Sequence, residues 1–273
     1  MNKITFVPVG GLANRLRALA SAIVLSQKTH SRLHVYWFCD WALRAPFSSL
    51  FQPLHLDGVH FHEASACRHF LLDRPRSKNL RLPRLYQCLA FRSAVYERSF
   101  FPLYERGFDF PAWVNKHHNV YMASYSIFQP YEDVFLRQLF IPIPEVMDEI
   151  NRRSRAFTAG TMGVHVRRTD NIASIDKSPL EAFYARIDTC PKTATIFLAT
   201  DSDDVKECMR QRYGERIITS SSTADRDSVS GIREGIIDMF LLSRTSCILG
   251  SFQSSFSVMA AQMGGIPLEV VGG

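Results

Sequence analysis

From residue 161 onward the chain repeats one pattern. TMGVHV (161 to 166), ATIFLAT (194 to 200), ERIIT (215 to 219), SCILG (246 to 250) and PLEVV (267 to 271) are short apolar runs, most of them separated by helical segments. When each helix carries the chain back to the start of the next strand, the strands pair in parallel, so a doubly wound parallel sheet is expected. The first half opens in the same way. ITFVPV (4 to 9) reads as a buried strand. From Asn14 the apolar residues Leu16, Leu19, Ala20, Ile23 and Val24 then follow the i, i+3, i+4, i+7, i+8 spacing of an amphipathic helix. LHVYWF (33 to 38) and NVYMAS (119 to 124) are further strand candidates, and the Phe-, Arg- and Pro-containing stretch between them reads as irregular or helical pieces. A chain of 273 residues is long for one core and short for three. The expected architecture is α/β, with two Rossmann-like lobes, 1–150 and 151–273, meeting in the region from 142 to 160.

Several function classes fall away. The opening MNKITFVPVG carries one lysine and a very short apolar run, too little for a signal peptide, and no run of about 18 uncharged apolar residues appears. A soluble cytoplasmic protein is expected. The six cysteines, Cys39, Cys67, Cys88, Cys190, Cys208 and Cys247, form no C-x-x-C pair, so reduced and mostly buried thiols are expected rather than a zinc or redox centre. The net charge of +6 is uneven: between Arg68 and Arg106 nine basic residues face only Asp73, Glu97 and Glu105. That segment is either a solvated face or a contact for an anionic partner, such as a phosphate-bearing acceptor or the inner face of a membrane. No nucleic-acid motif accompanies it.

Open parallel sheets bind ligands beyond the carboxyl ends of their strands. Four such ends carry chemistry here: GGLANR (10 to 15), HVRRTDN (165 to 171), ATDSDD (199 to 204) and GSFQSS (250 to 255). In the second, the guanidinium forks of Arg167 and Arg168 suit phosphate oxygens, an interlobe ion pair being the alternative. In the last, Ser251, Ser254 and Ser255 precede an apolar helix, where they either cap it or join its N–H groups in holding an anion. DSDD offers a D-x-D that could hold Mg²⁺ or Mn²⁺, but Asp201 or Ser202 serves equally as a helix cap, and capping is favoured. GGLAN has neither dinucleotide nor P-loop spacing; alone it is a turn in which Gly10 and Gly11 admit positive φ, with Asn14 as a cap.

Taken together, these segments resemble a family: the bacterial nodulation fucosyltransferases, the eukaryotic α-1,6-fucosyltransferases and the protein O-fucosyltransferases, GDP-fucose enzymes of the GT-B type. HVRRTDN resembles the family's H-x-R-R-x-D, FLATDS its second motif, DMFLLSRTSCILGSFQSS its third and GGLANR its N-terminal G-x-x-x-N turn. The resemblance covers residues 161 to 263 well and little before them beyond the turn. It implies a GT-B fold with a cleft between the lobes, inverting transfer of fucose to a glycan hydroxyl, and no metal or other cofactor. It further implies that His165 and Asp238 hold guanine, Arg167 the β-phosphate and Ser254 the diphosphate, with Asn14 near the fucose. Asp238 lies in an apolar helical run, so a buried partner is expected for its carboxylate. The family's candidate base, a glutamate shortly after the first motif, has no counterpart in NIASIDKS. Asp170 and then Asp176 stand in its place, beside a leaving-group-driven route with no strong base. The acceptor expected is an oligosaccharide or lipid-linked glycan. Two other readings stay open: a GT-B enzyme using a different nucleotide sugar, and a noncatalytic binding protein of the same fold.

Overall fold

The protein is described here as a computed structural model covering residues 1–168, 172–221, 225 and 227–272. It divides into two compact units, Met1–Ile141 and Pro142–Gly273. In the first, the elements run β1 (Lys3–Pro8), α1 (Leu12–Lys28), β2 (Arg32–Trp37), β3 (Val59–Glu63), α2 (Ala66–Leu72), α3 (Pro83–Ala90), β4 (Ser93–Val95), α4 (Glu97–Glu105), α5 (Phe110–His117), β5 (Asn119–Ser124) and α6 (Asp133–Leu139). In the second they run α7 (Pro144–Ser154), β6 (Met162–Val166), α8 (Ile172–Lys177), α9 (Leu180–Asp188), β7 (Ile196–Thr200), α10 (Asp203–Tyr213), β8 (Ile217–Thr219), α11 (Val229–Leu242), β9 (Ile248–Ser251), α12 (Ser255–Gly264) and β10 (Leu268–Val271). The helix of residues 144–154, through which a division at 150 would pass, belongs wholly to the second unit. There Arg153 pairs with Glu234 of α11 and with Glu149.

Each unit holds one five-stranded parallel sheet, ordered β3-β2-β1-β5-β4 and β10-β9-β6-β7-β8. The central strands are apolar runs because helices cover both faces: every residue of β6 and β7 is buried, as are five of six in β1. In both sheets the chain winds outward one way and then resumes on the other side of its first strand. This creates a switch point between β1 and β5 and another between β6 and β9, where the helices that leave adjacent strands diverge and open a crevice. GGLANR leaves β1, HVRR leaves β6 and GSFQSS leaves β9, so three of the four loaded strand ends stand at switch points.

Much of the first unit's Phe-rich stretch forms core. Phe128 packs against Phe6, Phe100 and Phe110 with ring centroids 6.0, 4.9 and 5.4 Å apart, tying α4 and α5 to β1. Burial of each such ring stabilises the fold by roughly 1.5–3 kcal/mol. The six thiols are unpaired, as expected, but they are not buried: Cys39, Cys67, Cys88 and Cys208 are exposed, and Cys190 and Cys247 are half-buried. They lie on helix surfaces and strand ends rather than on the inward faces of the sheets.

Candidate functional site

At the β6/β9 switch point the backbone N–H of Arg167 donates to Ser251 Oγ (3.0 Å), and that hydroxyl donates to the carbonyl of His165 (3.2 Å). One serine thus links the ends of two neighbouring strands. Asp201, at the end of β7, holds the other side: its Oδ1 accepts from the N–H of Arg168 at 2.8 Å, and its Oδ2 lies 3.1 Å from the Arg167 guanidinium. Arg167 keeps a fifth of its side chain exposed while Asp201 keeps a tenth. The carboxylate therefore orients a guanidinium that still reaches solvent. Arg168 is used differently. Its guanidinium donates to the carbonyls of Arg167 and Ser178, both at 2.9 Å, so its fork closes the turn, where the sequence had offered it to phosphate or to an interlobe ion pair.

At the same switch point, just beyond β9, stands the N-terminus of α12. Ser254 occupies the N-cap position without its side chain capping the helix; its hydroxyl lies 3.3 Å from His165 Nδ1 instead. The first N–H groups of a helix left in this way attract an anion. Ser255 opens the helix, and the hydroxyl of Ser257 approaches His165 Nδ1 to 2.7 Å. That approach depends on Gly250, since a Cβ there would lie 2.7 Å from the Ser257 side chain. The His165 ring is buried and stacks on Phe256 at 4.8 Å. Burial, with the nearby Arg167 charge second, pushes its pKa down to about 4, so the imidazole is neutral at physiological pH. With Nδ1 committed to serines, Nε2 is the nitrogen left to face a ligand.

Asp238 lies on α11, with β7 between the strand that carries its partner and the strand of His165. Its carboxylate accepts from Ser220 Oγ at 2.8 Å, beyond the end of β8, and Ser220 in turn accepts from Arg153 at 2.8 Å. The buried partner expected for Asp238 is therefore a hydroxyl. Burial raises this carboxyl to about 7, with the Ser220 hydrogen bond opposing and Glu234 adding to the rise. Asp170 lies outside the described residues, and Asp176 is exposed on α8. In DSDD the cap of α10 is Ser202, which accepts from the N–H of Val205, and Asp203 pairs with Lys206.

The β1/β5 switch point carries the turn of the first unit. Gly10 takes φ +86°, which only glycine adopts without strain, while a Cβ there would meet Asn14 and Tyr125 only at ordinary contact distance. Gly11 does not share this need: at φ −73° it is the N-cap of α1, whose first turn starts at Leu12. Asn14 is therefore not a cap but the third helical residue, and its buried Oδ1 has no hydrogen-bond partner among the described residues. The residue that sequence reasoning missed is Arg15. Its side chain is fully buried and donates to Gly10 O (2.7 Å), to Phe38 O and to Asp40 Oδ1 (2.7 Å), with the guanidinium 5.0 Å above the Trp37 ring. An arginine inside an otherwise apolar helix face, next to a glycine turn, was the available signal.

No protein-family model and no curated protein matches the chain. Solved structures do. The NodZ α-1,6-fucosyltransferase soaked with GDP-fucose is 19% identical, with 96% of this chain and 92% of that one covered at a TM-score of 0.64; NodZ from Bradyrhizobium gives 18% and 0.63, with 95% and 92% covered. Arabidopsis thaliana FUT1 in complex with GDP is 15% identical at 0.64, covering 98% of this chain and 70% of that one. POFUT1 in complex with GDP is 13% identical at 0.56, covering 99% and 98%. From the first strand to the last, this chain shares the two-sheet α/β fold of these fucosyltransferase structures.

Proposed function

We propose that the protein is an inverting glycosyltransferase that moves fucose from GDP-fucose to a glycan hydroxyl. One observation carries this reading: Arg167 and the start of α12, with Ser254, stand together at the β6/β9 switch point, where two phosphates would find both a guanidinium and helix N–H groups. In this reading Asp238 accepts from guanine N1 and N2 and His165 meets the base through Nε2. Asn14, its amide oxygen without a partner among the described residues, is the first unit's candidate for the sugar or the acceptor hydroxyl.

Breaking the glycosidic bond leaves positive charge on the sugar and negative charge on the diphosphate. A guanidinium already oriented by Asp201 strengthens its hold as that charge develops, without reorganising. The reading needs no metal, because the carboxylate of Asp201 is engaged by Arg167 and Arg168 and that of Asp203 by Lys206. Proton removal from the acceptor falls to Asp170, then Asp176, unless departure of GDP drives the step. The test is GDP release from GDP-fucose with mixed oligosaccharide acceptors, run beside GDP-mannose and UDP-sugars. Turnover of GDP-fucose alone supports the reading. Turnover of another donor replaces the sugar, and tight binding without turnover or slow hydrolysis favours a noncatalytic protein.

A further inference from the structure

Eight of the sixteen large apolar side chains exposed among the described residues lie between Phe70 and Tyr104, a small part of the chain. They are ordered. Leu82, the N-cap of α3, and Leu85, Tyr86 and Leu89 within it follow i, i+3, i+4, i+7 and are 44, 68, 40 and 90% exposed, so one stripe of this helix is apolar and faces water. The opposite side of α3 is anchored. Gln87 is buried, donates to the carbonyls of Leu71 (3.1 Å) and Asp73 (2.8 Å), and accepts from the Tyr96 hydroxyl (2.8 Å). The helix therefore cannot roll to hide its leucines.

The segment that carries this stripe has exposed charge almost all of one sign. Of the segment's three carboxylates, Asp73 and Glu97 are consumed inside the fold by Arg74 and Arg76. The seven remaining basic residues are exposed, among them Arg81 and Arg84 beside the stripe, and Glu105 is the one exposed carboxylate against them. The sequence's local excess of +6 is thus carried at the surface. An apolar stripe alone would suit many partners and a basic surface alone would suit any polyanion. Leucines standing proud of a cationic surface match a lipid–water interface, where apolar side chains enter the acyl boundary and arginines meet anionic head groups. An eight-residue helix is far too short to cross a bilayer, so the contact is peripheral.

We propose that the α3 face and its basic surround dock the protein on an anionic lipid bilayer. The inference is independent of the donor reading. Its test is co-sedimentation of the whole chain with phosphatidylcholine vesicles that contain or lack phosphatidylglycerol, across a salt series. Wild type should pellet with the anionic vesicles and stay in solution with phosphatidylcholine alone. Arg81→Gln with Arg84→Gln should weaken binding by about twenty-five-fold, at roughly fivefold per basic residue. Leu85→Ser with Leu89→Ser should weaken it by tenfold or more even at low salt, with an unchanged tryptophan-monitored unfolding midpoint. Should that pair fail to fold, Leu89→Ser alone serves. The proposal is overturned if wild type ignores anionic vesicles at low salt, or if the arginine variant loses binding while the leucine variants keep it. It is also overturned if light scattering shows a dimer that the leucine variant makes monomeric, since the face would then belong to a second copy.

Discussion

Arg15→Met tests whether the turn after β1 is held by a buried guanidinium. Methionine keeps the unbranched stem and its packing but deletes every donor, leaving Gly10 O, Phe38 O and the Asp40 carboxylate without their partner. Each carbonyl bond is worth about 1 kcal/mol net, and breaking a buried ion pair from one side costs about 3–5 kcal/mol. Asp40 retains 12% side-chain exposure, so water recovers part of its loss. Counting about 2 kcal/mol for the two carbonyl bonds and about 1 kcal/mol for an Asp40 charge screened by water, the expected destabilisation is about 3 kcal/mol. The assay is urea unfolding followed by tryptophan fluorescence, because Trp37, Trp41 and Trp113 all lie in the first unit and report on it alone. With a slope of roughly 2 kcal/mol per molar, the midpoint should fall by about 1.5 M at unchanged slope. Adding Asp40→Asn should restore part of the loss, since the orphaned charge is then removed. A midpoint shift below about 0.5 M would show that water, not Arg15, satisfies these groups.

Other consequences follow from the same geometry. The Asp238 carboxyl sits at about 7 in the native state against 3.8 for an unperturbed aspartate. Its contribution to stability is therefore full below about pH 4 and lost as pH rises through about 7; calorimetric melting should show that slope, and Asp238→Asn should flatten it. If guanine is held by the ionised carboxylate, GDP affinity should instead rise over the upper part of that range in wild type, and the asparagine variant should lose this component. Asn14→Asp should largely abolish transfer and, because the side-chain oxygen it replaces is buried, should also melt below wild type even though an acid in a first turn suits the helix dipole; an active variant reduces GGLAN to a turn. Activity should survive EDTA, and restoration of a chelator-killed activity by Mn²⁺ would promote DSDD to a metal site.

Continuous apolar runs made the central strands legible, because a parallel strand covered on both faces has no polar side to disguise it. β3 and β4 were not legible. β3 (VHFHE) is an edge strand of half-buried and exposed residues with two histidines, and β4 is three residues long between helices. The short helices around Phe100 and Phe110 were hidden because their apolar residues serve an aromatic cluster rather than a long periodic stripe. At the site, Arg167 and the serine turn were visible as chemistry placed at strand ends. Their connections were not, since each depends on which strands are neighbours. Asp201 reaches Arg167 because β7 lies beside β6, and Arg15 reaches Phe38 and Asp40 because β2 lies beside β1. Read along the chain, the first looks like a cap and the second like a solvated helix charge.

The account rests on Arg167 as the phosphate-binding group, and calorimetric titration with GDP and with GMP addresses it without any acceptor. Wild type should bind GDP more tightly than GMP, because only GDP carries the β-phosphate assigned to the guanidinium. Arg167→Ala should melt with the wild-type fold, bind GDP at least about tenfold more weakly, a loss of about 1.4 kcal/mol or more, and no longer distinguish the two nucleotides. A folded Arg167→Ala protein that keeps both the wild-type affinity for GDP and its preference over GMP would contradict the assignment of the diphosphate to the β6/β9 switch point.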